Sequence, residues 1–406
     1  MSAVRRVGFL SLHTSPLAQP GAGDSGGMNV YVRELVAGLA HTGLDCTVYV
    51  RKWHDDLAPE VTLEPGVRVV HVEAGPAELA KEQLYGVVDC FADGVRADLD
   101  RWGGLDVLHA NYWLSGVAGH RLKHELDVPL VSTFHTLARV KAETGDHEPK
   151  RRIAAEMEVV RCSDVITASC GPEAQQLEHL YGADPARIEI VTPGVEHALF
   201  SPGDQSGARS ALGLGADPVL LFVGRIQPLK GLDVAIRALA ELDRPDARLV
   251  VVGGASGPDG HNEVERIRCL VSDLRLGDRV RMVEPQPHHL LSTYYRAADV
   301  CLVPSRSESF GLVALEAAAC GLPVVAAAVG GLRTIVDHGH TGFLVEGRDP
   351  GVFAAYAGEV LDSPILAAEI AFDAAERARH YTWAATARSL ARSYGELLHR
   401  IPVNCS

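Results

Sequence analysis

The stretch Ser307-Glu308-Ser309-Phe310-Gly311-Leu312-Val313-Ala314-Leu315-Glu316 decides how this chain is read. Just before it, Val300-Cys301-Leu302-Val303-Pro304 has the continuous apolar character of a buried strand. A glycine-containing turn follows, and a helix begins. Strand, turn and helix N-terminus together offer free backbone N–H groups and the positive end of a helix dipole, which suits an anion such as phosphate. Glu308 and Glu316 would repel a phosphate unless they held something else. Sugar hydroxyls are the natural partners, so the pair points to a nucleotide that carries a sugar.

Outward from this point, short β-rich runs alternate with helical periods through the whole chain. Strand-like runs fall at Val7 to His13, Cys46 to Val50, Val67 to Val72, Val107 to Ala110, Leu130 to Thr133, Val165 to Ala168 and Ile188 to Thr192. Gly27 to Thr42 is helical, with Val30, Leu35 and Leu39 on one stripe. Two Pro-Gly pairs, Pro193-Gly194 and Pro202-Gly203, mark a linker. The alternation then restarts at Val219 to Val223, Leu249 to Val252, Val280 to Val283, Val300 to Val303 and Pro323 to Ala327. From about Pro350 to Arg400 the pattern is helical, broken near His380-Tyr381-Thr382. This predicts an α/β chain of two Rossmann-like, doubly wound domains, residues 1–197 and 203–380, facing a central cleft, with a C-terminal segment 381–406. Ligands of such sheets bind at the carboxyl ends of the strands, so the loops after strands carry the interest.

Composition narrows the function. The chain has 406 residues and a net charge of -14, which argues against general nucleic-acid binding but not against a local basic pocket. Arg5 and Arg6 precede an apolar run too short for a leader, and no stretch reaches the ~18 apolar residues of a membrane span. The eight cysteines are scattered without a C-x-x-C pair, and are read as reduced core residues of a cytoplasmic protein with no metal cluster.

Several loops carry chemistry-bearing residues. His13 to Asn29 is long, and rich in glycine and small polar residues. It has neither a Walker Gly-Lys-Ser/Thr nor the G-x-G-x-x-G of a dinucleotide site, which weakens the reading of a nicotinamide-dependent dehydrogenase. A surface loop is the plain alternative. His109 to Trp113 and Thr133 to Thr136 follow strands, and their histidines are either site groups or structural. In Gly224-Arg225-Ile226-Gln227-Pro228-Leu229-Lys230-Gly231, Arg225 and Lys230 suit a diphosphate, one as a planar fork and one as a point charge. Solvated surface cations are the competing reading. Lys81, Arg151 and Arg152, taken alone, read as solvated charges on helices.

The glutamate pair, with Gly-Arg-x-x-x-x-Lys-Gly upstream, resembles the retaining glycosyltransferases of family 4, which have the GT-B fold. The resemblance covers nearly the whole chain. Within the family it is most similar to the enzymes that move N-acetylglucosamine from UDP-N-acetylglucosamine to 1D-myo-inositol 3-phosphate in mycothiol biosynthesis. The runs His13 to Tyr31, His135-Thr136-Leu137, Val223 to Lys230, Glu308 to Glu316 and Trp383 to Ala387 carry it.

The resemblance implies roles. Arg225 and Lys230 would hold the diphosphate, and Glu316 the ribose hydroxyls. Glu308 would hold the donor sugar with Ser309, Phe310, Gly311 and Leu312. Gln19, Pro20, Gly27 and Gln286 would complete the donor site, and His135 would lie against the donor sugar. His13 and the loop Asp24, Ser25, Gly26, Gly27, Met28 and Asn29 would meet the inositol. Lys81, Tyr112, Thr136 and Arg152 would hold its phosphate, with Arg151 as the fallback for Arg152. His135, Arg225, Lys230 and Glu308 form the catalytic set. The family also implies a homodimer, a cytoplasmic location, and a C-terminal helix packed on the N-terminal domain.

Some positions depart from the family. The run after Thr136 differs, Gln286 replaces an arginine near the uracil, and Leu322 replaces a threonine. That threonine belongs to a peripheral Mg²⁺ site whose other positions match Tyr295, Arg296 and Ala298. No metal is expected in the chemistry. Other acceptors, an aminocyclitol or another sugar phosphate such as fructose 6-phosphate, remain open. So does a non-catalytic sugar-nucleotide-binding protein.

Overall fold

The structure, a computed structural model, describes residues 4–21, 25–145, 148–257 and 260–405. It divides into two units. The first holds Met1–Ala18, Met28–Thr192 and Trp383–Ser406; the second holds Gln19–Gly27 and Pro193–Thr382. The loop Gln19–Gly27 thus groups with the second unit, although it lies near the start of the chain.

The first unit is built on eight strands: β1 (Arg6–Ser11), β2 (Asp45–Arg51), β3 (Glu60–Glu64), β4 (Val67–Val72), β5 (Val107–Asn111), β6 (Leu130–Thr133), β7 (Val165–Ala168) and β8 (Ile188–Ile190). Their order is β3-β4-β2-β1-β5-β6-β7-β8. All neighbours pair in parallel except β3 with β4. β5, β6 and β7 are buried along their whole length, as strands covered by helices on both faces must be. Residues such as Leu10, Phe91, Leu108, Leu122 and Val159 fill the core beside them. After β4 the chain crosses to the other side of β1, so the strand order reverses between β1 and β5. The crevice of an open sheet lies at such a reversal. His13 and Tyr112 sit just beyond those two strand ends.

The second unit has six parallel strands: β9 (Val219–Val223), β10 (Arg248–Val252), β11 (Val280–Val283), β12 (Val300–Val303), β13 (Val324–Ala327) and β14 (Phe343–Val345). Their order is β11-β10-β9-β12-β13-β14, with the reversal between β9 and β12. The Arg225–Lys230 loop leaves β9, and the Glu308 turn leaves β12. Both therefore flank the same reversal.

The helix Trp383–Leu397 belongs to the first unit. Tyr394 on it is fully buried, with its hydroxyl 2.6 Å from Nδ1 of His109, and Thr386 Oγ1 donates to the Thr192 carbonyl at 2.7 Å. Trp383 meets Tyr31 edge-on. No helix among the described residues is long and apolar enough to cross a membrane.

One expectation is corrected here. Cys46, Cys170, Cys301 and Cys320 are buried, and Cys90 and Cys269 are exposed, but Cys162 and Cys405 are not isolated thiols. Their sulfurs meet at bonding distance across 243 residues of sequence. No spacing along the chain signals it, because only the folded C-terminal tail brings Cys405 to the end of the helix Lys150–Cys162.

Candidate active site

In the second unit the site grows from two turns that must approach each other closely. Gly231, at φ +74°, ends the loop after β9 and starts the helix Leu232–Glu241. A Cβ there would collide with the Pro304 carbonyl beyond β12, and the left-handed φ disfavours other residues as well. Gly311, at φ +104°, starts the helix Leu312–Ala319 and carries no side-chain cap. The first N–H groups of that helix remain available to an anion.

These turns set Lys230 Nζ 2.6 Å from Oε2 of Glu308, a largely buried ion pair. Ser305 Oγ donates to the same carboxylate oxygen at 3.2 Å. The Glu308 carbonyl accepts from the Gly331 N–H at 3.0 Å, which fixes the turn from below. Arg225 is half-buried, and its Nη1 donates to Ser256 Oγ at 3.3 Å.

Glu316 is buried one turn and a half into the helix Leu312–Ala319. Its two oxygens meet Tyr295 OH at 2.8 Å and His288 Nε2 at 2.7 Å. Phe200 packs against both rings. Burial, and then the Glu316 charge, push the Tyr295 hydroxyl well above its usual range, so it stays a donor. Sequence reading missed this orienting pair. His288 follows β11 on a polar strand-end loop, the one signal that could have exposed it.

The loop Gln19–Gly27 lies against the same set. Gln19 Nε2 donates to the Pro285 carbonyl at 3.0 Å, and Gly21, next to Pro20, packs on the Pro285 ring. Gln286 donates to the Glu284 carbonyl. Gly26 lies against the Arg225 guanidinium and Gly27 against Leu312. Gly26, which the resemblance assigns to the inositol, lies beside Arg225. Ser25 is held by its carbonyl, which accepts from the Gly21 N–H. Asp24 lies outside the described residues. Ser309 and Phe310 complete the turn, with Phe310 buried against Tyr381.

In the first unit a second set gathers around Tyr112. His13 packs on its ring at 4.3 Å, Lys81 Nζ lies 5.5 Å from the ring centre, and the Arg152 guanidinium lies 5.1 Å from it. Arg152 Nη2 donates to both the carbonyl and Oγ1 of Thr136 at 3.0 Å. Lys81, Tyr112, Thr136 and Arg152 are therefore brought together. Arg151 stands apart, over the Tyr85 ring at 4.5 Å.

Arg152 is buried, with Nε on Glu156 at 2.7 Å and Nη1 on Glu148 at 2.9 Å. Four of its five N–H donors are thus used within the protein. It holds Thr136 and adds charge, while Lys81 is a point charge on a flexible stem.

Tyr112 and His135 both have left-handed backbones, φ +76° and +60°. Non-glycine residues hold that conformation only where the surroundings enforce it, and such places cluster at functional sites. The His135 Nε2 bonds Asn111 Oδ1 at 2.9 Å, and Tyr31 meets its ring edge-on. Burial pushes the imidazole down to about 3, so it is neutral at neutral pH.

His109, the other strand-end histidine, is wholly buried between Thr133 Oγ1 at 2.7 Å and Tyr394. It is structural. Asn29 is buried too, and its amide holds Thr14 and Ser15, so it shapes the loop. Met28 packs beside the core.

At the peripheral magnesium positions Leu322 offers no side-chain oxygen. The Ala298 carbonyl accepts from Gln205 at 3.0 Å, Arg296 is turned to the Leu199 and Ser201 carbonyls at 2.8 Å, and Leu322 is an apolar buried side chain.

The chain matches two family models, Glycosyltransferase Family 4 over residues 25–199 and Glycosyl transferases group 1 over residues 206–379. It is 48% identical to a D-inositol 3-phosphate glycosyltransferase of Acidothermus cellulolyticus, covering 97% of this chain and 91% of that one. It is 47% identical to a D-inositol 3-phosphate glycosyltransferase 2 of Catenulispora acidiphila, covering 97% and 95%. Among solved structures it is similar to a sucrose-phosphate synthase from Thermosynechococcus elongatus, with TM-score 0.91 and 32% identity over 97% of this chain and 99% of that one. The fold is shared with Anabaena HepE in complex with UDP-glucose, at TM-score 0.79 and 20% identity over 96% and 99%. With its two parallel-sheet domains, the chain is a GT-B glycosyltransferase and belongs to glycosyltransferase family 4.

Proposed function

We propose that this enzyme transfers N-acetylglucosamine from UDP-N-acetylglucosamine to 1D-myo-inositol 3-phosphate with retention of configuration, in mycothiol biosynthesis in the cytoplasm. The observation that carries the acceptor half is the grouping of Lys81, Thr136 and Arg152 around Tyr112. Two cations and two hydroxyls suit a phosphate monoester better than a neutral cyclitol. The 48% identity to a D-inositol 3-phosphate glycosyltransferase agrees with it.

The donor half rests on Arg225, Lys230 and the uncapped helix Leu312–Ala319 as counter-charges for the diphosphate, and on Glu316 and Glu308 for ribose and sugar hydroxyls. In the transfer, the acceptor oxygen bonds to the anomeric carbon as the bond from that carbon to the UDP oxygen breaks. The departing phosphate takes the acceptor hydroxyl's proton. Charge builds up on the leaving UDP, so fixed donors there lower the barrier most. Glu308, ion-paired to Lys230, is a binding group and not a nucleophile. His135, neutral, exchanges hydrogen bonds but adds no charge.

The 32% identity to a sucrose-phosphate synthase favours a second reading, transfer to another sugar phosphate such as fructose 6-phosphate. The homodimer rests on resemblance alone and is tested by sedimentation. The function is tested by UDP release with each acceptor and by product mass. Release that depends on inositol phosphate, with a product heavier by one N-acetylhexosamine, is expected. Release only with fructose 6-phosphate would establish the second reading instead.

A further inference from the structure

Away from both residue sets, four ligand-type side chains converge in the first unit. His120 and His124 lie four residues apart on the helix Trp113–Leu126, and so share one face. Cys162 ends the helix Lys150–Cys162, and Cys405 comes from the C-terminal tail. One ligand atom from each lies within 4.8 Å of the others. The His124 Nε2 is 3.3 Å from the Cys162 sulfur and 3.1 Å from the Cys405 sulfur, and the His120 Nε2 is 3.7 Å from the latter.

The nitrogen-to-sulfur spacings are those of ligands around one metal ion. A tetrahedral Zn²⁺ with Zn–N of about 2.05 Å and Zn–S of about 2.3 Å has N···S edges of about 3.6 Å. Two thiolates and two imidazoles give a neutral Zn²⁺ centre and the soft donor set that zinc takes in structural sites. The Cys162 and Cys405 sulfurs themselves meet at bonding distance, so the pair closes as a disulfide when oxidised and, when reduced, gives two thiolates that share one point with both imidazoles.

We propose that His120, His124, Cys162 and Cys405 bind a structural zinc ion that fastens the end of the chain to the first unit. Binding releases the two thiol protons to solvent, with no change of oxidation state. Residues 401–405 have no regular structure, and Ile401 is 95% exposed. The Val403 N–H also ties the tail, donating to Asp164 Oδ1 at 2.6 Å. Asp164 is itself fixed by Lys123 and by the Leu130 N–H. Irregular termini with few buried contacts fray unless tied down.

The test is elemental analysis of the full-length protein purified with a reducing agent, followed by Co²⁺ titration of the zinc-stripped protein. About one zinc per chain is expected, with an intense thiolate-to-cobalt charge-transfer band and tetrahedral ligand-field bands. Both fall away in Cys405→Ser and in His124→Ala. Hydrogen exchange in residues 398–405 quickens in those variants, while UDP release stays unchanged. Cys405→Ser alters only the tail, so its zinc content is readable even if Cys162 variants fold poorly. Reduced protein without zinc or a cobalt band, equal zinc in the variants, or a Cys162–Cys405 disulfide persisting under reductant would overturn the proposal.

Discussion

Replacing Lys230 by Ala should have two separable effects. The ammonium lies 2.6 Å from Glu308, and the two side chains are 22% and 18% exposed. In the resting enzyme such a pair contributes about 1 kcal/mol or less, so folding should hardly change. In the transition state the same ammonium faces the charge gathering on UDP. Two unit charges ~4 Å apart at an effective dielectric of ~20 interact by about 4 kcal/mol. Fixed donors of this kind are worth about 10²- to 10³-fold in rate. Lys230→Ala should therefore lower kcat/KM for UDP release by about that factor. Part of the loss is repulsion, because Glu308 then keeps only the Ser305 hydroxyl near its Oε2 and turns its charge on the diphosphate. Glu308→Gln in the Lys230→Ala background should relieve it, making the double variant better than the product of the single losses by about 1–3 kcal/mol. The assay is steady-state UDP release for all four proteins of the cycle. Turnover of Lys230→Ala within about threefold of the parent, or a strictly additive cycle, would refute the reasoning.

Lys81→Ala and Thr136→Val should each raise KM for inositol phosphate by about tenfold, with the UDP dissociation constant unchanged by calorimetry. Arg152→Ala should also destabilise the fold by about 3–5 kcal/mol, because buried Glu156 and half-buried Glu148 lose their shared partner; urea unfolding measures it. Tyr295→Phe should weaken UDP binding by about tenfold, since Glu316 loses its buried donor, and an unchanged affinity would remove Glu316 from the ribose contact. Burial, then His135, holds the His109 pKa down to about 3, against 6.5 in an unfolded chain. Its contribution is intact above pH 6.5 and is lost as pH falls towards 3, at up to about 1.4 kcal/mol per pH unit. His109→Gln should flatten the loss of stability between pH 6.5 and 4.5, and identical slopes for parent and variant would contradict that account.

The sequence by itself determined what local pattern can encode. Continuous apolar runs marked the parallel strands, because strands buried on both faces cannot alternate. The two Pro-Gly pairs marked the passage between domains. The turn around Gly311 was legible, because few residues but glycine allow its backbone. Two strands escaped. β3, from Glu60 to Glu64, is a charged edge strand with no buried face, and β14 is three residues long. β3 is too charged, and β14 too short, to show a period.

Only the tertiary structure decided which side chains share a partner. Glu316 is oriented by residues 28 and 21 positions away, and Arg152 is held between two carboxylates. His109 turned out to be a core group, because a helix from the far end of the chain brings Tyr394 to it. Cys405 reached Cys162 and two histidines the same way. Each of these depends on which surfaces meet after the sheets have formed, and no spacing along the chain encodes that.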